Sequence, residues 1–347
     1  MKLKTKKKER VGVLKVRCPR IVLLLSLALF ACSDATEKKD GAKKSTPVVA
    51  IKRPEFNEDS AYSFVEKQVS FGPRVPNTKA HKAAGKYLTN KLKEYGFNVI
   101  EQPAKVKAYN GSTLSITNII GEYLPDLKNR ILLFAHWDSR HVADHDSIDA
   151  DLPILGANDG GSGVAVLLEI ARQIQIAQPT IGLDIVFFDG EDYGQPSNVG
   201  QYSSMDSWCL GSQYWSNNPH RPNYRANFGI LLDMVGAKNA YFTKEAYSRK
   251  YAPHVLEKVW SIAAVLGHQN HFVFNESEHV GVDDHVYVNK IRGIPSIDII
   301  QYDPNTKAFA PHWHTHQDNM DVIDRKTLAA VGETVMATVL QEAKLLR

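Results

Sequence analysis

Residues 181–192 read IGLDIVFFDGED, an apolar, partly β-branched run that stops on Asp189, Glu191 and Asp192. A run of this length without polar alternation reads as a strand buried on both faces, the kind found in parallel sheets flanked by helices. Two other apolar runs end the same way. ILLFA (131–135) leads into His136, Trp137 and Asp138, and GILL (229–232) leads into Asp233. The turn GAN (156–158) leads into Asp159, Gly160 and Gly161, and His314 follows much later in HWHTHQDN (312–319). In an open α/β sheet, ligands bind at the carboxyl ends of strands, so these residues are expected to meet at one sheet edge. Carboxylate and imidazole ligands suit zinc, with a spare glutamate to carry protons. Any one of these acids alone reads as a helix cap or a turn residue. Together they read as a metal site, because isolated buried carboxylates are costly unless paired or metal-bound.

Working outward, strand-like and helix-like segments alternate. Helical spacing or capping signals mark Asp59 to Gln68, residues 79–96 with Gly96 as C-cap, GSGVAVLLEIARQI (161–174), about 209–218, 246–267, and Arg325 to Leu346. NVIEQPAKVKAY and STLSITNIIGEYL alternate as hairpin strands do, and PSIDIIQYD is a further buried strand. This pattern predicts a three-layer α/β/α sandwich with a mixed, mostly parallel central sheet and an antiparallel edge.

Of the 42 basic and 38 acidic residues, nine basic and one acidic fall in residues 1–31. The remainder therefore holds 33 basic and 37 acidic groups, a net of about −4 despite the formal +4 of the whole chain. Such a body has no electrostatic footprint for nucleic acid. The basic stretch through Arg20, the apolar IVLLLSLALFA and Cys32 form the parts of a signal peptide. The ending Leu29-Phe30-Ala31-Cys32 resembles a bacterial lipoprotein signal with Cys32 as the lipid-bearing first residue. The expected organisation is a signal peptide over 1–31, a flexible tether over 32–55 and one catalytic domain over 56–347. The protein would be exported and anchored by lipid to a membrane, facing periplasm or cell surface. Cys209 is left as the sole cysteine of the body, which allows no intramolecular disulfide; SMDSWCLGSQYW reads as placing it, small and buried, at a helix start.

FGPRVPNTKAH, AHWDSR, GANDGGSGVAVLLEIAR, FFDGED, DSWCLGS, LLDMVGA, DDHVYVNKIRGIPSIDII and HWHTHQDN occur in that order. The series resembles peptidase family M28, the zinc aminopeptidase-like fold, and within it the glutaminyl cyclases. In the two-metal aminopeptidases the resemblance implies one metal on His136 and Asp233, a second on Asp192 and His314, and Asp159 bridging, with Glu191 as general base. In the cyclases it implies a single zinc per chain on Asp159, Asp192 and His314. Glu191 is then the proton carrier, Asp233 and Asp284 share its hydrogen-bond network, and Trp313 is an aromatic wall. The cyclase reading implies peptide or protein substrates with a free N-terminal glutamine; two zinc ions and general N-terminal hydrolysis remain the alternative. The Asp283-Asp284-His285 and Trp313-His314 pairings favour the cyclase. Asp192 where the animal cyclases have glutamate, and Tyr193 followed by a long insert, depart from them. Of the alternating His312, His314 and His316, only His314 is expected at the metal. The acidic loop Asp144 to Asp151 lacks the glycine and glutamate of an EF-hand and reads as solvated. No G-x-S-x-G elbow surrounds Ser162, and no H-E-x-x-H occurs.

Overall fold

The computed structural model describes residues 52–197, 199, 205–278 and 280–345. The leader, Cys32 and most of the expected tether lie outside them. Arg53 and Pro54, assigned to the tether from sequence, already pack on the domain. Pro54 is buried, and Arg53 donates to the Leu266 carbonyl (2.5 Å) and pairs with Glu333. A guanidinium at the open carbonyls of a helix end is a favourable pairing. No helix of the described residues is long and apolar enough to cross a membrane.

The elements run α1 (Glu58–Val69), α2 (Lys79–Glu94), β1 (Asn98–Lys107), β2 (Thr113–Tyr123), β3 (Arg130–His136), α3 (Gly161–Ala177), β4 (Gly182–Phe188) and α4 (Leu210–Asn217). There follow β5 (Phe228–Asp233), β6 (Phe242–Lys244), α5 (Ala246–Tyr251), α6 (Pro253–Leu266), β7 (Phe272–Glu276), α7 (Asp284–Tyr287), β8 (Ser296–Ile300) and α8 (Arg325–Leu345). The main sheet has the order β1-β2-β4-β3-β5-β8. Strands β4, β3, β5 and β8 are parallel neighbours, and β2 pairs antiparallel with both β1 and β4. The mixed, mostly parallel sheet with an antiparallel edge is thus as expected; β6 and β7 form a separate small parallel sheet that the sequence reading did not separate.

Successive side chains of a strand face opposite ways, and here both faces are covered. Ile131, Leu133, Leu183, Ile185, Ile230 and Leu232 join the large core under α1, α2, α3, α6 and α8. Leu132, Phe134, Val186, Phe188 and Leu231 meet Trp215 of α4, Val288 and Ile294 on the other face. Helix α3 is buried almost all round rather than on one stripe, because it lies between the sheet and α1 and α8. Gly163 lets it approach β5: a Cβ there would sit 2.1 Å from the Leu232 carbonyl oxygen.

The single helix expected over 246–267 is two. Pro253 opens α6 and Ala252 before it adopts φ −140°, ψ 49°, since a residue preceding proline is pushed out of the helical region.

Candidate active site

His136 ends β3 and Asp233 ends the neighbouring β5, so the parallel register delivers both to one edge. His136 Nε2 lies 3.0 Å from Asp159 Oδ1 and 3.2 Å from Asp233 Oδ1. Asp159 comes from the loop before α3. Its neighbour Gly160 has φ +80°, and a Cβ there would sit 2.6 Å from the Asp138 carbonyl oxygen and 2.9 Å from His136 Cε1, so only glycine passes beneath the imidazole. The other oxygen of Asp159, Oδ2, is 3.8 Å from His314 Nε2, which is 3.4 Å from Asp192 Oδ1. Asp159 therefore spans the two histidines.

The residues fit a zinc ion. Asp159, Asp192 and His314 are all buried, and their ligating atoms lie within 4.8 Å of one another. Tetrahedral zinc, with bonds of about 2.0–2.2 Å, sets its donors about 3.4 Å apart. Asp192 Oδ2 is buried without a hydrogen-bond partner, a donor left for a cation. His314 Nδ1 stands 3.2 Å from Asp144 Oδ1, somewhat off an ideal hydrogen-bond line. A carboxylate behind the far ring nitrogen is the support that metal-bound histidines commonly have. His314 also takes a left-handed φ of 57°, a costly conformation for a non-glycine residue and one that clusters at functional sites. His136, Asp159 and Asp233 form a second such group.

A model of peptidase family M28 matches residues 118–339. The chain belongs to peptidase family M28. Among solved structures, a Zn-dependent exopeptidase from Parabacteroides distasonis is 54% identical, with a TM-score of 0.81 over 83% of this chain and 99% of its own. A glutaminyl cyclase from Tannerella forsythia is 53% identical, with the same TM-score and coverage. The glutaminyl-peptide cyclotransferase of Bos taurus is 27% identical over 258 residues, 65% of this chain and 66% of that protein's length.

In this M28 chain two buried aspartates hold the ligand loops by their backbone. Asp138 accepts the N–H groups of Glu191 and Asp192, both at 3.1 Å. Asp318 accepts those of Asn158 (2.7 Å) and Asp159 (3.0 Å). Beneath them the Arg74 guanidinium donates to the Trp137, Leu155 and Gly156 carbonyls, with burial lowering its pKa to about 10.

Burial pushes the Glu191 carboxyl well above its usual range, with His136 opposing and Asp283, Asp192 and Asp284 adding. Burial likewise raises Asp233 to about 7. Asp159 is buried too, but the His136 hydrogen bond and the charges of His136 and His314 bring it below the ordinary value. The site thus sets apart a carboxylate kept ionised and a glutamate able to hold a proton, the pattern of acid–base assignment.

The structure separates the two aspartates of DDH. Asp283 caps α7, accepting from the Asp284 N–H (2.5 Å), and lines the cavity, in a group with Glu191 and Cys209. Asp284 is fully buried, and its charge, with that of Asp283, is among the causes that raise Glu191. A cap and the first helical residue face different ways, so Asp283 reaches the cavity wall while Asp284 stays in the interior.

The cavity measures about 750 Å³. Trp313 lines it and stacks on His314 at 3.8 Å. Opposite, Trp208 lies parallel to the His314 ring at 5.8 Å, with the Arg140 guanidinium 4.5 Å from its own ring. Trp208 was legible only as part of DSWCLGS; the insert after Tyr193 hid its role. Tyr193 itself stacks on His141 at 4.0 Å. The acidic loop is not simply solvated. Asp144 is held by Arg140 (2.8 and 2.9 Å), and Asp146 accepts the backbone N–H of His316 (2.7 Å), because the guanidinium and the histidine segment supply donors to the loop. His312 contacts Asn158 at 3.3 Å, leaving His314 alone of the three at the ligand cluster. Cys209 is buried at the start of α4, as expected.

Proposed function

We propose that this chain is a zinc-dependent glutaminyl-peptide cyclotransferase, turning the N-terminal glutamine of peptides or proteins into pyroglutamate with release of ammonia. The observation that carries the reading is Glu191, a buried proton carrier beside a three-ligand zinc set that opens on an aromatic-walled cavity. The likeness to glutaminyl cyclases at about half identity supports it.

Zinc on Asp159, Asp192 and His314, one ion per chain, would supply Lewis-acid polarisation of the substrate's side-chain amide. Glu191 takes a proton from the α-amine as its nitrogen attacks the amide carbon, and returns a proton to the departing ammonia. Attack is intramolecular, so the walls of Trp313, Trp208 and Phe309 chiefly hold the folded-back conformer. Asp283 and Asp284 add negative charge near Glu191 that favours its protonated form.

A dizinc aminopeptidase is the second reading, favoured by His136 and Asp233 standing at ligating spacing around Asp159. Purified protein assayed on Gln-peptides and on Leu- or Ala-peptides, with metal content measured alongside, separates the two. Ammonia release with one zinc supports the cyclase; removal of N-terminal Leu or Ala with two zinc ions refutes it. We also propose export as a lipoprotein through Cys32, to a face toward periplasm or exterior. Loss of fatty-acid labelling on Cys32→Ala is the expected result, and unchanged labelling would overturn it.

A further inference from the structure

A second groove of about 560 Å³ adjoins the active-site cavity and shares His145, Val280, Phe309 and Trp313 with it. Three rings run from the ligand cluster into this groove. Trp313 stacks on His314, Phe309 lies 4.5 Å from Trp313, and Tyr302 meets Phe309 edge-on at 5.8 Å. Steps of that size span about three residues of extended chain. Tyr302, Phe309 and Trp313 are each only partly buried, packed on Met234, Val280 and Ile300, so their outer faces remain available.

Lys307 stands at the outer end of the ladder. It is exposed, and no ion pair involves it among the described residues. Its turn is well fixed: Asp303 N–H donates to the Ala308 carbonyl (3.0 Å), Lys307 N–H to the Asp303 carbonyl (2.8 Å), and Asp303 Oδ1 accepts from Asn305 N–H (2.7 Å). The Asp303 carboxylate is thereby engaged within the turn.

We infer that this groove receives the second and third residues of the substrate. It selects a large apolar or aromatic side chain directly after the N-terminal residue, and an acidic side chain after that. This rests on the cyclase reading, since it takes the N-terminal glutamine to occupy the inner cavity. The occupant is an extended peptide because the groove is continuous with that cavity and open along its length. Its rings offer apolar area to one side chain, and the unpaired cation offers attraction to the next.

The test compares kcat/KM for four amidated tetrapeptides, Gln-Phe-Asp-Gly, Gln-Ala-Asp-Gly, Gln-Phe-Lys-Gly and Gln-Ala-Lys-Gly. Phenylalanine over alanine is expected to gain about tenfold, from apolar area covered by the rings. Aspartate over lysine is expected to gain about threefold, with that gain shrinking in high salt. Tyr302→Ala should reduce the first ratio while leaving the second. Lys307→Gln, an exposed change that leaves the core intact, should remove the second while leaving the first. Equal kcat/KM across the four peptides, or ratios unmoved by both variants, would overturn the inference while leaving the cyclase reading standing. Absence of turnover on all four would overturn the cyclase reading and this inference with it.

Discussion

The thiol of Cys209 donates to the carboxylate of Glu191, Sγ to Oε1 at 3.2 Å. The same two residues are joined through the backbone, Cys209 N–H to the Glu191 carbonyl at 3.0 Å. Among the described residues this thiol is the one side-chain donor to that carboxylate. Cys209 is fully buried, and burial with the nearby acids keeps its thiol protonated, so it serves as a donor and not as a nucleophile. Cys209→Ala is expected to lower kcat about tenfold with KM nearly unchanged, since a hydrogen bond to a charged group is lost and no substrate contact is touched. Cys209→Ser, which retains a donor, should recover most of the rate. Equal kcat for the alanine variant and the parent would show that the thiol does not hold the carboxylate.

Glu191→Gln keeps the shape of the side chain and removes its proton chemistry. Turnover of Gln-peptides is expected to fall at least about a hundredfold, with zinc content unchanged because Glu191 is outside the Asp159–Asp192–His314 group. A variant that stays near full activity would remove Glu191 from the reaction.

Asp318→Ala strips the backbone N–H groups of Asn158 and Asp159 of their acceptor. Zinc affinity is expected to weaken about 10- to 100-fold, as for other supports behind metal ligands. Competition with a chromophoric chelator measures it, and circular dichroism of the same sample separates this effect from unfolding.

Away from the site, His220 sets an acid limit to stability. The Trp215 indole N–H donates to His220 Nδ1 at 3.0 Å, so the neutral ring carries its proton on Nε2, 3.5 Å from Glu122. Burial lowers the His220 pKa. The unfolded chain therefore binds the proton more readily, and stability falls as pH drops below about 6.5 toward the folded value. This also argues against a metal in the Glu122, Asp184 and His220 group, because a ligating Nε2 would turn an N–H toward the tryptophan donor. His220→Gln should flatten the acid limb of a denaturation midpoint measured from pH 7 to 5; an unaltered limb would exclude this histidine as its origin.

The strand ends were readable because buried strands announce themselves as apolar runs, and the first polar residue after each run had to emerge at the sheet edge. His136, Glu191, Asp192 and Asp233 follow directly from that logic, Asp159 and His314 were read beside them from a turn and a late histidine segment, and the family order supplied their roles. What escaped lies in loops, where no periodicity marks a direction. Trp208 returns to the cavity beyond an insert, drawn against Arg140. Asp144 turns inward for the same guanidinium. That Asp283 stands at the cavity wall had a local signal, since an aspartate just before a short helix is a natural cap.

Asp159 faces His136 with one oxygen and His314 with the other. Electron density that this carboxylate lends to a cation on one side is withdrawn from the other, so the two halves of the site compete for a single anion. With both histidines at ligating spacing from this one carboxylate, any cation beside His136 is set against any cation beside His314.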